Sequence, residues 1–556
     1  MKLNSFLGGA DTQRSTNLSD NRCINLIPTT NDAGDVTGYY GAPGLALEKA
    51  IPGGAVASGI YTASNGRCFM VASTTLYELT ESGSVISLTS RGTVTAGTVT
   101  RFTDNGIQMI FVNGTDGWLF TFSTNALKKI IVLQDTFTVT IASPAVFTQT
   151  AHGLVAGDRL DLSSTGLLPT GLDTDTVYYV IAAGLTADAF EVSLTSGGAA
   201  INTSGTQSGV HTYTTIGYGF PEGAKTISYM NGRFIACEPS TQNFYVSEVL
   251  DGFTWDILNV QTVDSNPDNV VGEVVSHNEL IVFCDNSGEV FYDAGATPSP
   301  FVRNASGVFE VGCAAAYSIA KIDNTVFWLG KNEVGQGVIY KLNGYTPQRI
   351  STFSMEYAIQ LMTTISDAIA FTYQQDGHHF YVIGFPTGGK TFCFDINTGL
   401  WHERANFAAG VFSRWEAQEH AFFAGMHLVC DYTEGNIYSI DQTVYTYGTE
   451  VIKWLRSFRA PVKDMARVRH NKLQLDCEAG VGVTGGDEPT VMMKFSDDGG
   501  HTWSSEVWRS MGIGSIGEYA KRVIWNRLGM TKGLPRIYEL SGTAAVKTVL
   551  LNVYLT

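Results

Sequence analysis

One unit recurs along the chain: a polar turn, an apolar strand, a second turn, then an aromatic-rich strand. It stands at 65–79 (NGRCFMVASTTLYEL), 105–122, 231–248, 277–293, 323–342, 376–395 and 426–441. Each copy reads as two adjacent strands of one antiparallel sheet, joined by a short hairpin that usually carries Gly. Successive copies start about 40, 126, 46, 46, 53 and 50 residues apart. A period of 40–50 residues with four strands per unit is the pattern of a β-propeller. The spacing therefore predicts an all-β fold built on a propeller of six or seven blades. A β-sandwich with irregular hairpins is the competing reading.

The one long interval holds a stretch of different composition, 135–214, with one Arg, no Lys and seven Asp or Glu. Without it the interval shrinks to about 46. Apolar and polar residues alternate through it (FTVTIAS, VYYVIAA, AFEVSLT) between Gly, Pro and Asp turns. It is expected to be a small β domain inserted in a blade loop, where extra length costs little. The expected organisation is an N-terminal arm with the first propeller strands (1–60), propeller (61–134), insert (135–214), propeller (215–450) and a C-terminal antiparallel β domain (451–556). One helix is predicted near 351–365, where Met355, Ile359 and Met362 share a face and Ser351 or Thr352 offers a cap.

Composition agrees with strand. Of 556 residues, 44% are hydrophobic and 16% charged, with 60 Gly and 11% aromatics. A helical solenoid or coiled coil would carry far more Ala, Glu, Lys and Leu. The net charge of −17 argues against non-specific nucleic-acid binding, which needs a basic face. The charge is uneven: residues 451–556 hold 15 basic and 10 acidic side chains, net +5, leaving −22 for the rest. Eight cysteines are spread singly in apolar runs, the pattern of buried thiols in a reducing compartment. The start, MKLNSFLGGADTQRS, lacks the apolar run of a signal peptide, and no stretch approaches eighteen apolar residues.

Most chemical motifs dissolve on inspection. Gly384 to Thr391 spells GxxxxGK[ST], but the residues after Thr391 alternate as a strand, whereas a phosphate loop opens a helix. Ser496, Asp498, Gly500, Thr502 and Trp503 form an Asp-box, a hairpin device in which the Asp carboxylate bonds the turn's own amides. A sialidase or other glycosidase would also need an Arg cluster, and Arg is sparse between 60 and 450. Asp264, Asn266 and Asp268 begin like a calcium loop but lack its Gly and Glu. The adjacent His378 and His379 point to opposite faces of a strand. Tyr381, Phe394 and Trp401 read as propeller core. No catalytic, cofactor-binding or metal residues are assigned.

Several stretches together resemble a known family. The opening Arg22-Cys-Ile-Asn-Leu-Ile-Pro28 and Tyr40-Gly-Ala-Pro-Gly-Leu45 are similar to the start of the packaged-DNA stabilisation proteins of short-tailed phages, which are tail hub or nozzle proteins. Further similar stretches follow in order. They are Gly288-Glu-Val-Phe-Tyr-Asp-Ala-Gly-Ala296 with Val311-Gly-Cys-Ala-Ala, the segment after Thr346-Pro-Gln-Arg-Ile, and Phe495-Ser-Asp-Asp-Gly with Lys521-Arg-Val-Ile-Trp-Asn-Arg-Leu-Gly529. The resemblance implies a structural virion tail protein, assembled in the host cytoplasm, with no enzyme activity and no cofactor. It implies a homo-oligomer, a hexameric ring below the portal and head-to-tail adaptor, that closes the DNA channel. Tail fibre or spike proteins and a tail needle or plug are further expected partners, and packaged DNA would pass through the lumen without specific binding. The basic residues Arg456, Arg459, Lys463, Arg467, Arg469 and Lys472 are candidates for the surface that docks on a neighbouring subunit or the adaptor. The alternative function is a receptor- or glycan-binding tail protein that uses the insert.

Overall fold

A computed structural model of the chain describes residues 1–15, 19–130, 133–216, 219–296, 299–331, 337–462, 466–481, 488–514 and 517–556. Strand makes up 54% of the chain and helix 3%, so the fold is all-β. Every one of the seven predicted hairpins forms the middle of a sheet of four or more strands. The pairs are Cys68–Ala72 with Thr75–Ser82, Gln108–Val112 with Gly117–Thr121, Arg233–Cys237 with Asn243–Glu248, and Glu279–Cys284 with Gly288–Asp293. Then come Thr325–Lys331 with Gly337–Asn343, His378–Phe385 with Lys390–Asp395, and Met426–Asp431 with Asn436–Asp441. The central strands carry the longest apolar runs because they are flanked on both sides. Cys68–Ala72 is buried at all five positions.

The chain divides into two compact units. One comprises Met1–Thr100, Val271–Val290 and Asn304–Thr556; the other comprises Arg101–Val270 and Phe291–Arg303. In the first unit the last repeating sheet is completed from the start of the chain. Gly44–Ala50 lies antiparallel to Asn436–Asp441, with Leu45 opposite Ile440 and Leu47 opposite Tyr438. This sheet then shares a core with the first one: Ile60, Met70 and Leu79 pack with Leu428, Cys430 and Ile437. First and last sheets are thus neighbours, as blade order around a propeller requires.

The second unit holds two of the repeating sheets, whose cores merge around Ile110, Phe234 and Trp255. It also holds a closed barrel in the order Gln134–Val139, Phe147–Thr148, Ala189–Ser193, Tyr178–Ile181, Arg159–Ser164, His211–Ile216. Gln134 pairs with Thr214, so the barrel begins and ends side by side. Phe137, Phe147, Phe190 and Tyr213 fill its core.

The described residues contain one α-helix, Phe353–Gln360, shorter than the predicted 351–365. Thr352 caps it, accepting from the Met355 amide at 3.4 Å. Ser351 instead accepts from the Ile339 amide and donates to Glu356. Met355 and Ile359 are buried, and Met362 packs beside them from beyond the helix end.

The last region is a two-sheet sandwich, and residues 451–556 supply only part of it. One sheet runs Leu26–Thr30, Val36–Gly41, Val549–Leu555, Arg469–Cys477, Val523–Met530. The other runs Cys23–Ile24, Trp454–Arg459, Ile537–Gly542, Thr490–Ser496, Val507–Ser510. Between them Leu3, Phe6, Leu26 and Tyr39 from the start of the chain pack on Phe458, Leu473, Trp525 and Tyr538. The arm therefore belongs to the sandwich core. Asn25 ties the sandwich to the propeller sheet Leu400–Ala408. Its amide group donates to the carbonyls of Ala405 (2.7 Å) and Lys453 (2.9 Å), and its oxygen accepts from the Ala405 amide (3.0 Å) and the Tyr447 hydroxyl (3.2 Å). Its φ of 54° is one that Asn tolerates better than most residues.

Candidate functional site

The sandwich carries the residues expected to dock on other subunits, and the structure sorts them into two groups. Strand Trp454–Arg459 is buried at its first five positions, which places Arg456 inside. Arg456 is fully buried. Its Nε donates to the Phe6 carbonyl at 2.8 Å, and its Nη1 to the carbonyls of Arg22 (3.1 Å) and Gly9 (3.4 Å). The guanidinium also faces the Tyr39 ring at 5.3 Å, and Tyr39 in turn donates its hydroxyl to the Phe6 and Gly8 carbonyls. This corrects the expectation for Arg456. It is a staple that gathers the turns of the N-terminal arm, and a buried side chain bonded to its own chain presents nothing to a neighbour.

Arg459 stands beside the same arm, half-buried, and its guanidinium acts on Asp20. Burial pushes the Asp20 carboxyl up to about 6 against the pull of Arg22 and Arg459. Arg467 and Arg469 are exposed. Lys472 is half-exposed on strand Arg469–Cys477 and reaches Gln474 at 3.4 Å. Lys463 lies outside the described residues. Of the six candidates, Arg467, Arg469 and Lys472 are thus the ones grouped on or just before one outward strand.

The Asp-box forms its hairpin. Ser496 donates to Asp498 Oδ1 (2.8 Å) and accepts from the Gly500 amide (2.9 Å). Asp498 accepts from the Thr502 amide (2.8 Å) and hydroxyl (2.5 Å), and Trp503 donates to the Gly500 carbonyl (3.1 Å). The Thr502 donors, with Ser496, hold the Asp498 carboxyl well below the usual carboxylate range. Asp498→Asn is expected to speed hydrogen exchange at the Thr502 amide while leaving global unfolding almost unchanged, because the turn is at the surface. Amide exchange by NMR or mass spectrometry checks this.

The neighbouring Asp497 matters more to the core, and the motif gave no sign of it. Its carboxylate accepts from Arg536 Nε (2.7 Å) and Nη2 (2.8 Å), and Arg536, 1% exposed, also donates to the Leu528 carbonyl at 2.6 Å. This two-pronged geometry suits Arg alone. Glu539 is the other unforeseen anchor, 5% exposed between Lys494 (2.7 Å) and Arg22 (3.7 Å).

Elsewhere the decoy motifs are structural. Gly384 to Thr391 is strand, turn and strand, with Lys390 bonded to Glu403 at 3.0 Å. Asp264 is paired with Arg303 at 2.6 Å. Tyr381, Phe394 and Trp401 are core. Seven of the eight cysteines are buried and all are free thiols. Among the described residues no three His, Cys, Asp or Glu side chains gather as a metal ion would require, and no helix is long and apolar enough to cross a membrane.

Two family models match the chain. Residues 186–445 match the β-propeller of bacteriophage P22 Gp10, and residues 454–555 match the β-sandwich of the same protein. The chain belongs to the P22 Gp10 family. It is accordingly a structural component of a phage virion tail, of the kind that stabilises packaged DNA, and the family is not one of enzymes. The order of the two matches is the order of the two folds described above.

No curated protein matches the chain. Among solved structures, the computationally designed Ika8 protein is 12% identical, with 71% of this chain and 99% of that one covered and a TM-score of 0.33. Saccharomyces cerevisiae dbp5 bound to nup159 and gle1 gives 8%, 76%, 99% and 0.35. The β-propeller domain of Cps50 (Swd1) from Myceliophteria thermophila gives 8%, 63%, 97% and 0.29. Similarities this low bear on no functional point.

Proposed function

We propose that six copies of this chain form a ring on the tail axis, below the portal and the head-to-tail adaptor, which continues and closes the DNA channel and retains the packaged genome. The observation that carries this reading is the joint match of propeller and sandwich to one tail protein. The charge distribution supports it. With −22 outside residues 451–556, a ring would concentrate negative potential and favour passage of DNA over adhesion. The outward basic strand of the sandwich would meet a neighbouring subunit or the adaptor, with fibres or spikes and a plug completing the tail. The barrel supports an adhesin role less well: its aromatic rings, Phe137, Phe147, Tyr178, Phe190 and Tyr213, are buried and Tyr179 is half-buried, whereas glycan binding commonly uses exposed rings.

Peptide counting on purified particles with tail-focused electron microscopy tests the assembly. About six copies on the axis are expected from the proposed ring; a peripheral position or a fibre-like copy number would refute it. Arg467→Glu with Arg469→Glu is expected to leave the subunit folded and to lower ring yield at least about tenfold, the effect of placing like charges where complementary ones meet. Unchanged assembly in gel filtration and particle reconstitution would remove these residues from the interface.

A further inference from the structure

A cavity of about 390 Å³ lies where the arm, the strand end at His378 and the sandwich loop at 544–548 meet. This is the size of cavity that holds a small organic molecule. One part of its wall is apolar, made by Ile27, Phe380, Ile452 and Trp454, none of them more than 9% exposed, and Asn25, Gln375, Gln442 and Thr548 supply polar groups elsewhere in the lining. Two basic groups, His378 and Lys547, share the same lining with one carboxylate, Asp376.

Each is held by the fold. His378 Nδ1 is bonded at 2.8 Å to Asp395, which is itself completely buried. Asp395 is fixed further by the Thr398 hydroxyl at 2.8 Å and the Asn397 amide at 3.1 Å. With Nδ1 taken, Nε2 is the nitrogen this imidazole has left for a ligand, and the carboxylate behind it keeps the ring oriented. Lys547 is paired with Glu478 at 2.9 Å at the exposed rim, and Tyr40 and Tyr445 share the lining with it. An ammonium has three donors, so one carboxylate does not exhaust it.

We propose that this cavity is a binding site for a small amphipathic anion, whose apolar or aromatic body lies against Trp454, Phe380 and Ile452 and whose carboxylate or sulfonate is met by Lys547 and His378. The combination of apolar walls with a few convergent polar groups is what distinguishes a ligand site from a packing defect, which would be lined by apolar atoms alone. The occupant would touch arm, propeller sheet and sandwich together, and so stiffen the joint that Asn25 makes.

The test is titration of the full chain with anilinonaphthalene sulfonate, followed by its fluorescence, with octanoate as competitor. Saturable binding of one probe per chain, displaced by octanoate, is expected. Lys547→Met and His378→Gln are each expected to weaken binding about tenfold or more, the worth of one hydrogen bond to a charged partner. Ala544→Trp, which fills the cavity, should remove binding. Absence of saturable binding, failure of octanoate to compete, or unchanged affinity in both polar variants would overturn the proposal. Near-ultraviolet circular dichroism confirms that each variant is folded, and the two polar variants decide the matter even if Ala544→Trp is not.

Discussion

Replacing Arg456 with alanine is expected to free the N-terminal arm and strip the sandwich of part of its core. The side chain serves three carbonyls, those of Phe6, Gly9 and Arg22. The Phe6 and Arg22 carbonyls keep the Tyr39 hydroxyl and the Ser457 amide, but three hydrogen bonds from a charged donor are lost and the space of a fully buried side chain is emptied, so a loss of roughly 3 kcal/mol or more follows. That is a large share of a typical folding free energy of about 5–15 kcal/mol. Arg456→Lys is not expected to rescue it, because a single ammonium cannot reproduce the fork that reaches several acceptors. Deleting residues 1–43 should be worse: it removes Leu26–Thr30 and Val36–Gly41 from one sheet and Cys23–Ile24 from the other. Limited proteolysis within residues 1–22 and the denaturant midpoint measure both. An arm as protease-resistant in Arg456→Ala as in the parent would show that the staple is dispensable.

The second large effect concerns acid. His420 and His427 share one hydrogen bond, Nε2 to Nδ1 at 3.1 Å, which needs one nitrogen to donate and the other to accept. Burial, then the nearby His427, pushes His420 down to about 3. Burial, then Arg536, pushes His470 down to about 4, while it bonds the Tyr538 hydroxyl at 2.7 Å. His402, buried beside Arg404, is depressed as well. A base with a depressed folded pKa costs nothing above its unfolded value near 6.5; below that, the unfolded chain takes up protons that the folded one refuses. At pH 5 the loss is about 2 kcal/mol for each of His420 and His470.

Other groups oppose this. Burial raises Glu416 to about 7 and Asp20 to about 6, so both favour the folded state as pH falls through those values, and His378, raised by Asp395, does the same. The comparison to make is therefore variant against parent. His420→Gln with His470→Gln is expected to gain about 4 kcal/mol on the parent between pH 7 and pH 5, whatever it loses at pH 7. Urea unfolding at the two values measures it, and a pH-independent difference would contradict the assignment.

The repeat was legible because each hairpin is local. NGRCFMVASTTLYEL contains both strands and the turn between them, and period-2 alternation is enough to find it. The contribution of the arm was not legible, because Tyr39 pairs with Leu550 and Leu26 is packed with residues more than 400 positions away. Nothing within a short window of sequence marks such a partner. The role of Arg456 is illegible for a related reason. Counting charge treats every Arg as surface, whereas the alternation in Trp454–Arg459 is masked by burial on both faces, and the acceptors that make a buried guanidinium tolerable are backbone carbonyls with no signature. The same blindness hid Asp497, since an Asp-box reads identically whether or not a buried Arg536 stands beneath it.

Closure of the last propeller sheet by Gly44–Ala50 has a consequence for synthesis. Within the first fifty residues Leu26–Thr30 can pair with Val36–Gly41, but the other partners of this segment are not yet made when it leaves the ribosome. Its propeller partner, Asn436–Asp441, arrives nearly four hundred residues later, and its sandwich partner, Val549–Leu555, about a hundred residues after that. At translation speeds of about 5–20 residues per second, the nascent start waits tens of seconds with unpaired strand edges. The propeller sheet thus gains its full set of strands once Asn436–Asp441 has emerged, and the sandwich only when Val549–Leu555 follows, so the same short segment commits the two folds one after the other.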